Sequence, residues 1–285
     1  MYHNIAFSGG GVHTIAFIGC LKYLEETEQI EHIHNVIGSS GGSFVALMVI
    51  LNFSHHEMKK CILDVYTQHK HLFGTSLKKI LNLPKKFGMM DSTLIEKFVK
   101  HVLNQKGIPE NVTFLELIKR TGKHFVVPVT NLSRKKIEYL SVDTFPEMEI
   151  LTAIKMSTSI PILFEPVKYY NDLYVDSMIF SNFPIDFFEK FPVNTLGLNL
   201  RSDTQYNNNI NTFSKYCSLL CDSIFSSLYK TLLHTENYNI CDVVIPCTLK
   251  NFDVYRMHFV LDSEIIEQLI QIGYDSLHVF FKKSD

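Results

Sequence analysis

Residues 35–42 read Asn-Val-Ile-Gly-Ser-Ser-Gly-Gly, and this stretch decides which fold the chain can adopt. Its centre is the pattern Gly-x-Ser-x-Gly, with Ser40 between Gly38 and Gly42. A strand-like apolar run precedes the pattern, and a helix-like apolar run through Leu51 follows it. A strand that turns so sharply into a helix needs glycine beside the serine, because a side chain would clash in the turn. The stretch therefore predicts a nucleophile elbow, with a simple tight turn as the alternative.

A second strand–glycine–helix unit lies upstream of the elbow. Residues 3–7 predict a buried strand, Ser8-Gly9-Gly10-Gly11 a turn, and residues 14–28 a helix. Two such units within about 50 residues indicate an α/β fold built on a parallel sheet. Hydrophobic periodicity predicts further strands at residues 125–129, 137–141, 196–200 and 243–245. It predicts further helices at residues 55–70, 94–103, 148–156, 212–233 and 263–281.

The composition favours one domain that does not bind nucleic acid. The chain has 285 residues, 46% hydrophobic and 20% charged, and no linker-like segment divides it, so we expect a single domain over residues 1–285. A net charge of −2 and a pI near 6.7 argue against a nucleic-acid partner. No apolar run reaches the roughly 18–20 residues of a transmembrane helix. The N-terminus lacks the pattern of a signal peptide, so we expect an intracellular protein, cytoplasmic or peripheral to membranes.

The glycines at positions 9–11 predict a site for a negatively charged group. Consecutive glycines let the backbone approach a ligand and present its N–H groups to an anion. In acyl transfer that anion is the tetrahedral oxyanion, for which each donor contributes about 3–4 kcal/mol. A dinucleotide-binding loop fits less well, because Thr14 stands where the last glycine is expected and the acidic residue is missing. A Walker loop would need a Gly-Lys-Ser/Thr sequence that does not follow.

Several motifs in the same order resemble the patatin-like phospholipase family. The glycine run at residues 8–11 is followed about 30 residues later by the elbow serine Ser40. Residues 156–166 resemble the family's Ala-Ser-x-Ala-x-Pro-x-x-Phe segment, and residues 88–91 resemble a weaker signal before a helix. Tyr174-Val175-Asp176, with Asn182 and Pro184 downstream, resembles its Asp-Gly and Asn-x-Pro motifs. The resemblance spans roughly residues 4–200.

This resemblance implies a lipid acyl hydrolase with a three-layer α/β/α fold around a mixed, largely parallel sheet. It implies that Ser40 attacks the ester and forms an acyl-enzyme, that Asp176 accepts the proton, and that the N–H groups of Gly9, Gly10 and Gly11 hold the oxyanion. It implies no metal or organic cofactor, and a lipid substrate met at a membrane or lipid interface. A carboxylate with the usual pKa of about 3.9 is a weak base, so Asp176 needs a water-poor site against the serine oxygen. The residues alone leave open that Asp176 is a turn or helix-cap residue.

Two departures from the family pattern leave a second hypothesis open. The family usually has Lys or Arg and then Gly at the positions of His13 and Thr14, and Gly at the position of Ser177. Help from His13 would depend on pH, and a side chain at Ser177 could shift Asp176 or narrow the pocket. The alternative function is a catalytically weak lipid- or partner-binding module that retains the fold.

Three further patterns admit functional interpretations. His234, His258 and His278 follow the serine as in a Ser–His–Asp triad, but such folds place the serine after several strands. Cys217 and Cys221 are one helical turn apart, although two reduced thiols are favoured over a metal pair. Lysines alternate with apolar residues over residues 78–87, which suits contact with an anionic lipid surface or a solvated connecting segment.

Overall fold

The computed structural model describes residues 1–69, 83–202, 223, 238–246, 249 and 263–284. The strands within these ranges are β1 Asn4–Phe7, β2 Asn35–Gly38, β3 Gly88–Met90, β4 His124–Asn131, β5 Lys136–Leu140, β6 Ile162–Phe164, β7 Val167–Tyr169, β8 Asp172–Val175, β9 Thr195–Ser202 and β10 Asn239–Ile245. The helices are α1 Ala16–Glu26, α2 Gly41–Ile50, α3 His55–His69, α4 Leu83–Lys86, α5 Thr93–Gln105, α6 Phe114–Thr121, α7 Ile150–Ser157 and α8 Ser263–Ser284.

The main sheet has eight strands and mixes parallel with antiparallel pairs. Its order is β10-β9-β1-β2-β4-β8-β7, and β5 also pairs with β4. The pairs from β10 through β4 are parallel, whereas β5 and β8 run antiparallel to β4, and β7 antiparallel to β8. A separate small sheet joins β3 and β6 in parallel. The predicted α/β class with a mixed, largely parallel sheet is confirmed.

The register of β4 explains how two distant segments meet. β4 has eight residues and β2 has four, so β4 continues beyond the point where β2 ends. Val126 is paired with Ile37 in β2, and Thr130 is paired with Val175 in β8. Because β8 runs antiparallel to β4, its carboxyl end returns toward the carboxyl end of β2. The residues that follow β2 and β8 therefore lie at the same level of the sheet.

Both faces of the sheet are covered, which is why its inner strands are apolar throughout. In β1, Ile5 and Phe7 point into the larger core beneath the helices, and Ala6 points to the opposite face. On that second face the described part of the chain supplies a smaller core built around Phe183 and a 3-10 helix, Ile185–Phe188. Helix α2 is buried on nearly all sides, as its uniformly apolar sequence indicates.

Helix α8 packs against α1 with almost no space between the two backbones. A Cβ placed on Gly19 would lie 1.8 Å from the carbonyl oxygen of Ile270, and one on Gly273 would lie 1.7 Å from that of Ala16. The Cys20 thiol donates a hydrogen bond to the carbonyl oxygen of Gly273 in the same contact. Strand β10 also pairs along β9. We propose on these contacts that the C-terminal residues belong to the same domain as the rest.

Most predicted elements occur within a few residues of their expected bounds, and three features were missed. Helix α6 was not predicted, although Thr113 and Glu116 form a capping box before it and Gly122 ends it with φ +68°. Strand β7 and the small sheet β3–β6 were missed, because strands of three residues show too little periodicity. The predicted helix at residues 212–233 lies outside the described residues, apart from residue 223. None of the described helices is long and apolar enough to cross a membrane.

Candidate active site

Ser40 lies in the turn between β2 and α2 with a strained backbone. Its φ of 49° and ψ of −125° are unusual for a residue other than glycine. The flanking glycines are required by packing, since a Cβ on Gly38 would lie 2.3 Å from the carbonyl oxygen of Gly42. A Cβ on Gly42 would lie 2.5 Å from that of Ser8. The elbow therefore holds Ser40 at the positive end of the α2 dipole.

Asp176 follows β8 and contacts the serine directly. The Ser40 hydroxyl donates a hydrogen bond of 2.6 Å to Oδ2 of Asp176. The other carboxylate oxygen, Oδ1, accepts a hydrogen bond of 2.9 Å from the N–H of Met178 and so caps the 3-10 helix Ser177–Ile179. Asp176 is thus a helix-cap residue and a partner of Ser40 at the same time, so the two interpretations of the sequence are compatible.

Burial changes the chemistry of the Asp176 carboxyl group. The residue has 0% exposed surface, and this loss of water raises its pKa to about 7. The hydrogen bonds from Ser40 and Met178 act in the opposite direction, because they stabilise the charged form. A pKa near 7 makes the carboxylate a far stronger base than an exposed aspartate, which is what proton transfer from a serine requires.

Residues at the carboxyl end of α7 and just beyond it hold the backbones of Ser40 and Asp176. The Ser157 hydroxyl accepts a hydrogen bond of 3.1 Å from the N–H of Ser40 and donates one of 2.8 Å to the carbonyl oxygen of Pro128. The carbonyl oxygen of Ser159 accepts a hydrogen bond of 3.0 Å from the N–H of Asp176. The segment resembling the Ala-Ser-x-Ala-x-Pro motif therefore supports the serine and the aspartate. Sequence reasoning marked this segment but did not assign it that role.

The glycine run lies beside the elbow, at the end of the neighbouring strand β1. The N–H of Gly9 donates a hydrogen bond of 2.8 Å to the carbonyl oxygen of Asn182, so it already has an acceptor within the fold. Within the described ranges, no hydrogen bond is seen from the N–H groups of Gly10 and Gly11 to the protein. Gly11 has φ +56°, a conformation that glycine adopts without strain. Among the described residues, the N–H groups of Gly10 and Gly11 therefore differ from that of Gly9, which has an acceptor within the fold.

The serine at position 177 is accommodated by a partner on the elbow. Its hydroxyl oxygen lies 2.6 Å from that of Ser39, and both residues are fully buried. The departure from glycine therefore leaves the contact between Ser40 and Asp176 intact. The other departures lie in the 3-10 helix Gly11–Ile15, where the N–H of His13 bonds to Gly10 and the Thr14 hydroxyl to Gly11.

Of the residues considered for a triad or a metal pair, His278 alone lies in the described part of the chain, and it is not at this site. His278 lies on α8 with its ring 5.7 Å from that of Tyr23, on the outer side of α1. His234, His258, Cys217 and Cys221 lie outside the described residues. In the ranges given above, no three His, Cys, Asp or Glu side chains are grouped as a metal site would need.

Comparison with known sequences assigns the chain to a family. The family model of the patatin-like phospholipases matches residues 5–188, which include the glycine run, the elbow and Asp176. The chain belongs to the patatin-like phospholipase family. The match ends near the 3-10 helix Ile185–Phe188, so β9, β10 and α8 lie beyond it.

Relatives of this patatin-like chain occur in two viruses and in a bacterium. It is 30% identical over 192 residues to the "Probable lipid hydrolase 463L" of Invertebrate iridescent virus 6. This match covers 67% of this chain and 64% of the relative. It is 27% identical over 282 residues to the uncharacterized protein R571 of Acanthamoeba polyphaga mimivirus, covering 96% and 92% of the two chains. It is 30% identical over 205 residues to the uncharacterized protein YqhO of Bacillus subtilis.

Two solved structures share the patatin-like fold at low sequence identity. VipD from Legionella pneumophila superposes with a TM-score of 0.57 and 15% identity, over 99% of this chain and 67% of VipD. ExoU, in its heterodimeric complex with SpcU from Pseudomonas aeruginosa, gives a TM-score of 0.50 and 15% identity, over 99% and 51% of the chains. The chain thus spans about half the length of ExoU. At this identity the likeness supports the fold alone.

Proposed function

We propose that this chain is a serine-dependent lipid acyl hydrolase that works with a Ser40–Asp176 dyad. The observation that carries the proposal is the 2.6 Å hydrogen bond from the Ser40 hydroxyl to a fully buried carboxylate. A buried carboxylate without a cationic partner is unfavourable for folding, so its place beside an elbow serine points to a catalytic role. Membership of the patatin-like phospholipase family supports the same reaction class.

The first half of the reaction forms an acyl-enzyme. The Ser40 oxygen attacks the acyl carbonyl carbon while its proton passes to Oδ2 of Asp176, along the existing hydrogen bond. The carbonyl oxygen becomes an oxyanion, and the N–H groups of Gly10 and Gly11 stabilise it, together with the α2 dipole. Protonated Asp176 then returns the proton to the leaving alcohol as the C–O bond breaks.

The second half of the reaction releases the fatty acid. Asp176, again a carboxylate, takes a proton from a water molecule that attacks the acyl carbon. The tetrahedral intermediate collapses, and the proton returns from Asp176 to the Ser40 oxygen, which restores the starting state. Asp176 therefore acts alternately as base and acid. A pKa near 7 suits both directions, since neither proton transfer is then strongly uphill.

The proposed substrate class is supported by the family and by a viral relative. Patatin-like phospholipases and the probable lipid hydrolase of the iridescent virus point to fatty-acyl esters of phospholipids or related lipids. The intracellular location, cytoplasmic or peripheral to membranes, stays a prediction from the sequence.

Labelling with a fluorophosphonate probe tests the proposal directly. The probe transfers its phosphonyl group to an activated serine oxygen and releases fluoride, so we expect stoichiometric labelling of wild type at Ser40. Labelling should be absent in Ser40→Ala and at least 100-fold slower in Asp176→Asn, because the asparagine cannot accept the proton. Intact-mass measurement gives the stoichiometry, and peptide mapping gives the position.

Ser43→Ala is the matched control for this labelling. It removes another buried serine hydroxyl of the elbow region, one that bonds to the carbonyl oxygen of Ser40 without contacting Asp176. We expect it to keep the label on Ser40. Folded wild type that stays unlabelled in the presence of lipid would overturn the enzyme proposal in favour of the lipid- or partner-binding module.

An exposed apolar pair indicates where the protein meets lipid. Phe87 is 65% exposed and Ile162 is 49% exposed, and both have positive φ, of 59° and 72°. They are neighbours, because Gly88 pairs with Ile162 in the small sheet β3–β6. Ile162 is three residues beyond Ser159, within about 10 Å by chain length, and Ser159 holds Asp176. We propose that this pair, with the exposed Lys85 beside it, contacts an anionic lipid surface.

Replacing both apolar residues by glycine is expected to separate lipid binding from chemistry. Glycine adopts positive φ without strain, so Phe87→Gly/Ile162→Gly should fold normally. Hydrolysis of phosphatidylglycerol-containing vesicles should fall about 10-fold or more, because burial of each side chain contributes roughly 1.5–3 kcal/mol. Hydrolysis of a soluble short-chain ester should be unchanged. Of the predicted lipid-contacting segment, residues 78–87, only residues 83–87 are described.

Tyr170→Gly is the control for lipid contact. Tyr170 is also exposed and has φ 50°, but it lies in the β7–β8 turn, at the end of β8 away from Asp176. Tyr170→Gly should leave the hydrolysis of vesicles and of the soluble ester unchanged. If Tyr170→Gly lost as much vesicle hydrolysis as Phe87→Gly/Ile162→Gly, the assignment of the lipid-contacting surface would be contradicted. The same would hold if the double variant lost no vesicle hydrolysis.

A further inference from the structure

A pair of hydroxyl groups joins the same two segments that carry the proposed dyad. Ser39 immediately precedes Ser40, and Ser177 immediately follows Asp176. The hydroxyl oxygens of Ser39 and Ser177 lie 2.6 Å apart, and both residues have 0% exposed surface. Two adjacent hydrogen bonds thus cross from the elbow to the end of β8. One bond joins the reacting groups, and the other joins their chain neighbours.

The direction of these hydrogen bonds follows from the available acceptors. The Ser39 hydroxyl also lies 3.4 Å from the carbonyl oxygen of Ser181, to which it can donate. The Ser177 hydroxyl then donates to the Ser39 oxygen, so that both protons are used. This chain of bonds ties the elbow to the turn after Asp176, where Ser181 also donates its N–H to the carbonyl oxygen of Ser177.

The strain of the elbow shows why a second link matters. Ser40 has a positive φ, and such a conformation persists only where its surroundings hold it. The hydrogen bond between Ser40 and Asp176 is one side-chain link between the two segments, whereas Ser157 and Ser159 hold the backbones of the two residues. A second side-chain bond one residue away on each side further restricts how the hydroxyl and the carboxylate move relative to one another, and proton transfer depends steeply on such alignment.

We propose that Ser39 and Ser177 are positioning residues, whose hydrogen bond holds the Ser40 hydroxyl against the Asp176 carboxylate for reaction. The inference rests on the proposed function, because it concerns the alignment of that dyad. It also gives the serine at position 177 a role that glycine could not fill. Neither hydroxyl takes part in the chemistry itself, since each acts through its neighbour in the chain.

A double-mutant cycle separates positioning from simple stabilisation. Ser39→Ala leaves the buried Ser177 hydroxyl without its acceptor, and Ser177→Ala leaves the buried Ser39 oxygen without its donor, so each should lower Tm by about 2–6 °C. Ser39→Ala/Ser177→Ala removes both hydroxyls, and its Tm should recover much of that loss. For a positioning pair, kcat for a soluble short-chain ester stays about 10- to 100-fold below wild type in all three variants. For a merely structural pair, kcat recovers together with Tm.

Two further readouts sharpen this test. KM for the soluble ester should be unchanged, because alignment of the dyad acts on the transition state rather than on substrate binding. The acid inflection of kcat/KM should move to higher pH, because a looser hydrogen bond from Ser40 stabilises the Asp176 carboxylate less. Ser177→Gly removes the same hydroxyl and should give the same fall in kcat. It serves as a second variant in case Ser177→Ala folds poorly.

Thr195→Ala provides a control of the same kind at the other end of the sheet. The Thr195 hydroxyl is buried, accepts a hydrogen bond from Asn4 and donates one to the carbonyl oxygen of Phe191. It should lower Tm while leaving kcat unchanged. If Ser39→Ala/Ser177→Ala had the kcat of wild type, the positioning role would be overturned and the proposed function would stand. Absence of turnover by wild type would overturn the proposed function and this inference with it.

Discussion

At pH 8, the Asp176→Asn variant is expected to hydrolyse a short-chain acyl ester about 10³- to 10⁴-fold more slowly than wild type. The asparagine oxygen can still accept the Ser40 hydrogen bond, although its NH2 group then replaces the oxygen that accepts from the N–H of Met178. What is lost is the site that binds the proton when the serine oxygen attacks. Some rate remains, because the Gly10 and Gly11 N–H groups still stabilise the oxyanion. Initial rates at saturating and limiting ester give kcat and kcat/KM for both proteins.

The pH profile identifies which group is responsible. The base must be ionised before it can accept a proton, so kcat/KM of wild type should rise through a pKa of about 7 and be lost below it. Asp186→Asn is a suitable control, because burial also raises the pKa of Asp186, which lies beside Tyr139 rather than Ser40. This control should keep the inflection and the rate. If kcat/KM of wild type had its inflection near pH 4, Asp176 would be excluded as the base. A hydrolysis rate of Asp176→Asn within 10-fold of wild type would exclude it as well.

The part of the site that sequence predicted best is the part encoded locally. Gly38, Ser40 and Gly42 lie within five residues of one another, and the clash that a Cβ on Gly38 would cause arises inside that turn, although the clash at Gly42 is with Ser8 after the neighbouring strand β1. The pattern therefore indicates its own geometry. Asp176 needed the family resemblance, because nothing near it in sequence shows that β8 returns to the level of Ser40 along β4.

The supporting contacts could not be read from the sequence because they join distant residues. Ser157 meets the N–H of Ser40 across 117 positions, and Ser177 meets Ser39 across 138. Each is a small polar residue whose local sequence is equally compatible with an exposed turn. The acceptor of the Gly9 N–H is likewise set by where Asn182 lies in the fold. Only the register of the sheet brings these groups together.

The burial that raises the pKa of Asp176 also opposes folding once the group ionises. For a carboxyl group whose folded-state pKa is raised, the folded state binds more protons than the unfolded chain between the two pKa values. Stability is therefore fully present below the unfolded pKa of about 3.9 and falls as pH rises, until the folded-state pKa of about 7 is passed. Above that pH the loss is constant. The site should thus lower the stability of wild type at the pH where the proposed reaction runs.

Asp176→Asn is accordingly expected to gain about 2–3 kcal/mol of unfolding free energy relative to wild type between pH 5 and pH 8. The amide is neutral at both pH values, so it avoids the cost of a buried charge. Its single oxygen replaces only one of the two carboxylate acceptors that Ser40 and Met178 use, and the cost of losing the other acceptor is the same at both pH values. Comparing the two pH values removes any constant difference between the side chains. Urea unfolding at each pH, with equal m-values, measures the change.

Asp172→Asn serves as the control, because its effect should not change between these two pH values. A hydrogen bond from Asn131 and the charge of Arg134 hold the pKa of Asp172 below its usual value. Ionised Asp172 therefore favours folding, and this contribution is fully present above the unfolded pKa of about 3.9 and is lost only as pH falls through the lower folded-state pKa. The difference in unfolding free energy between Asp172→Asn and wild type should accordingly be the same at pH 5 and pH 8 and should shrink only in acid. If instead Asp176→Asn differed from wild type by the same amount at pH 5 and pH 8, the Asp176 carboxyl would have an ordinary pKa. A carboxylate of that kind would be too weak a base for Ser40, and the two predictions for Asp176 would fail together.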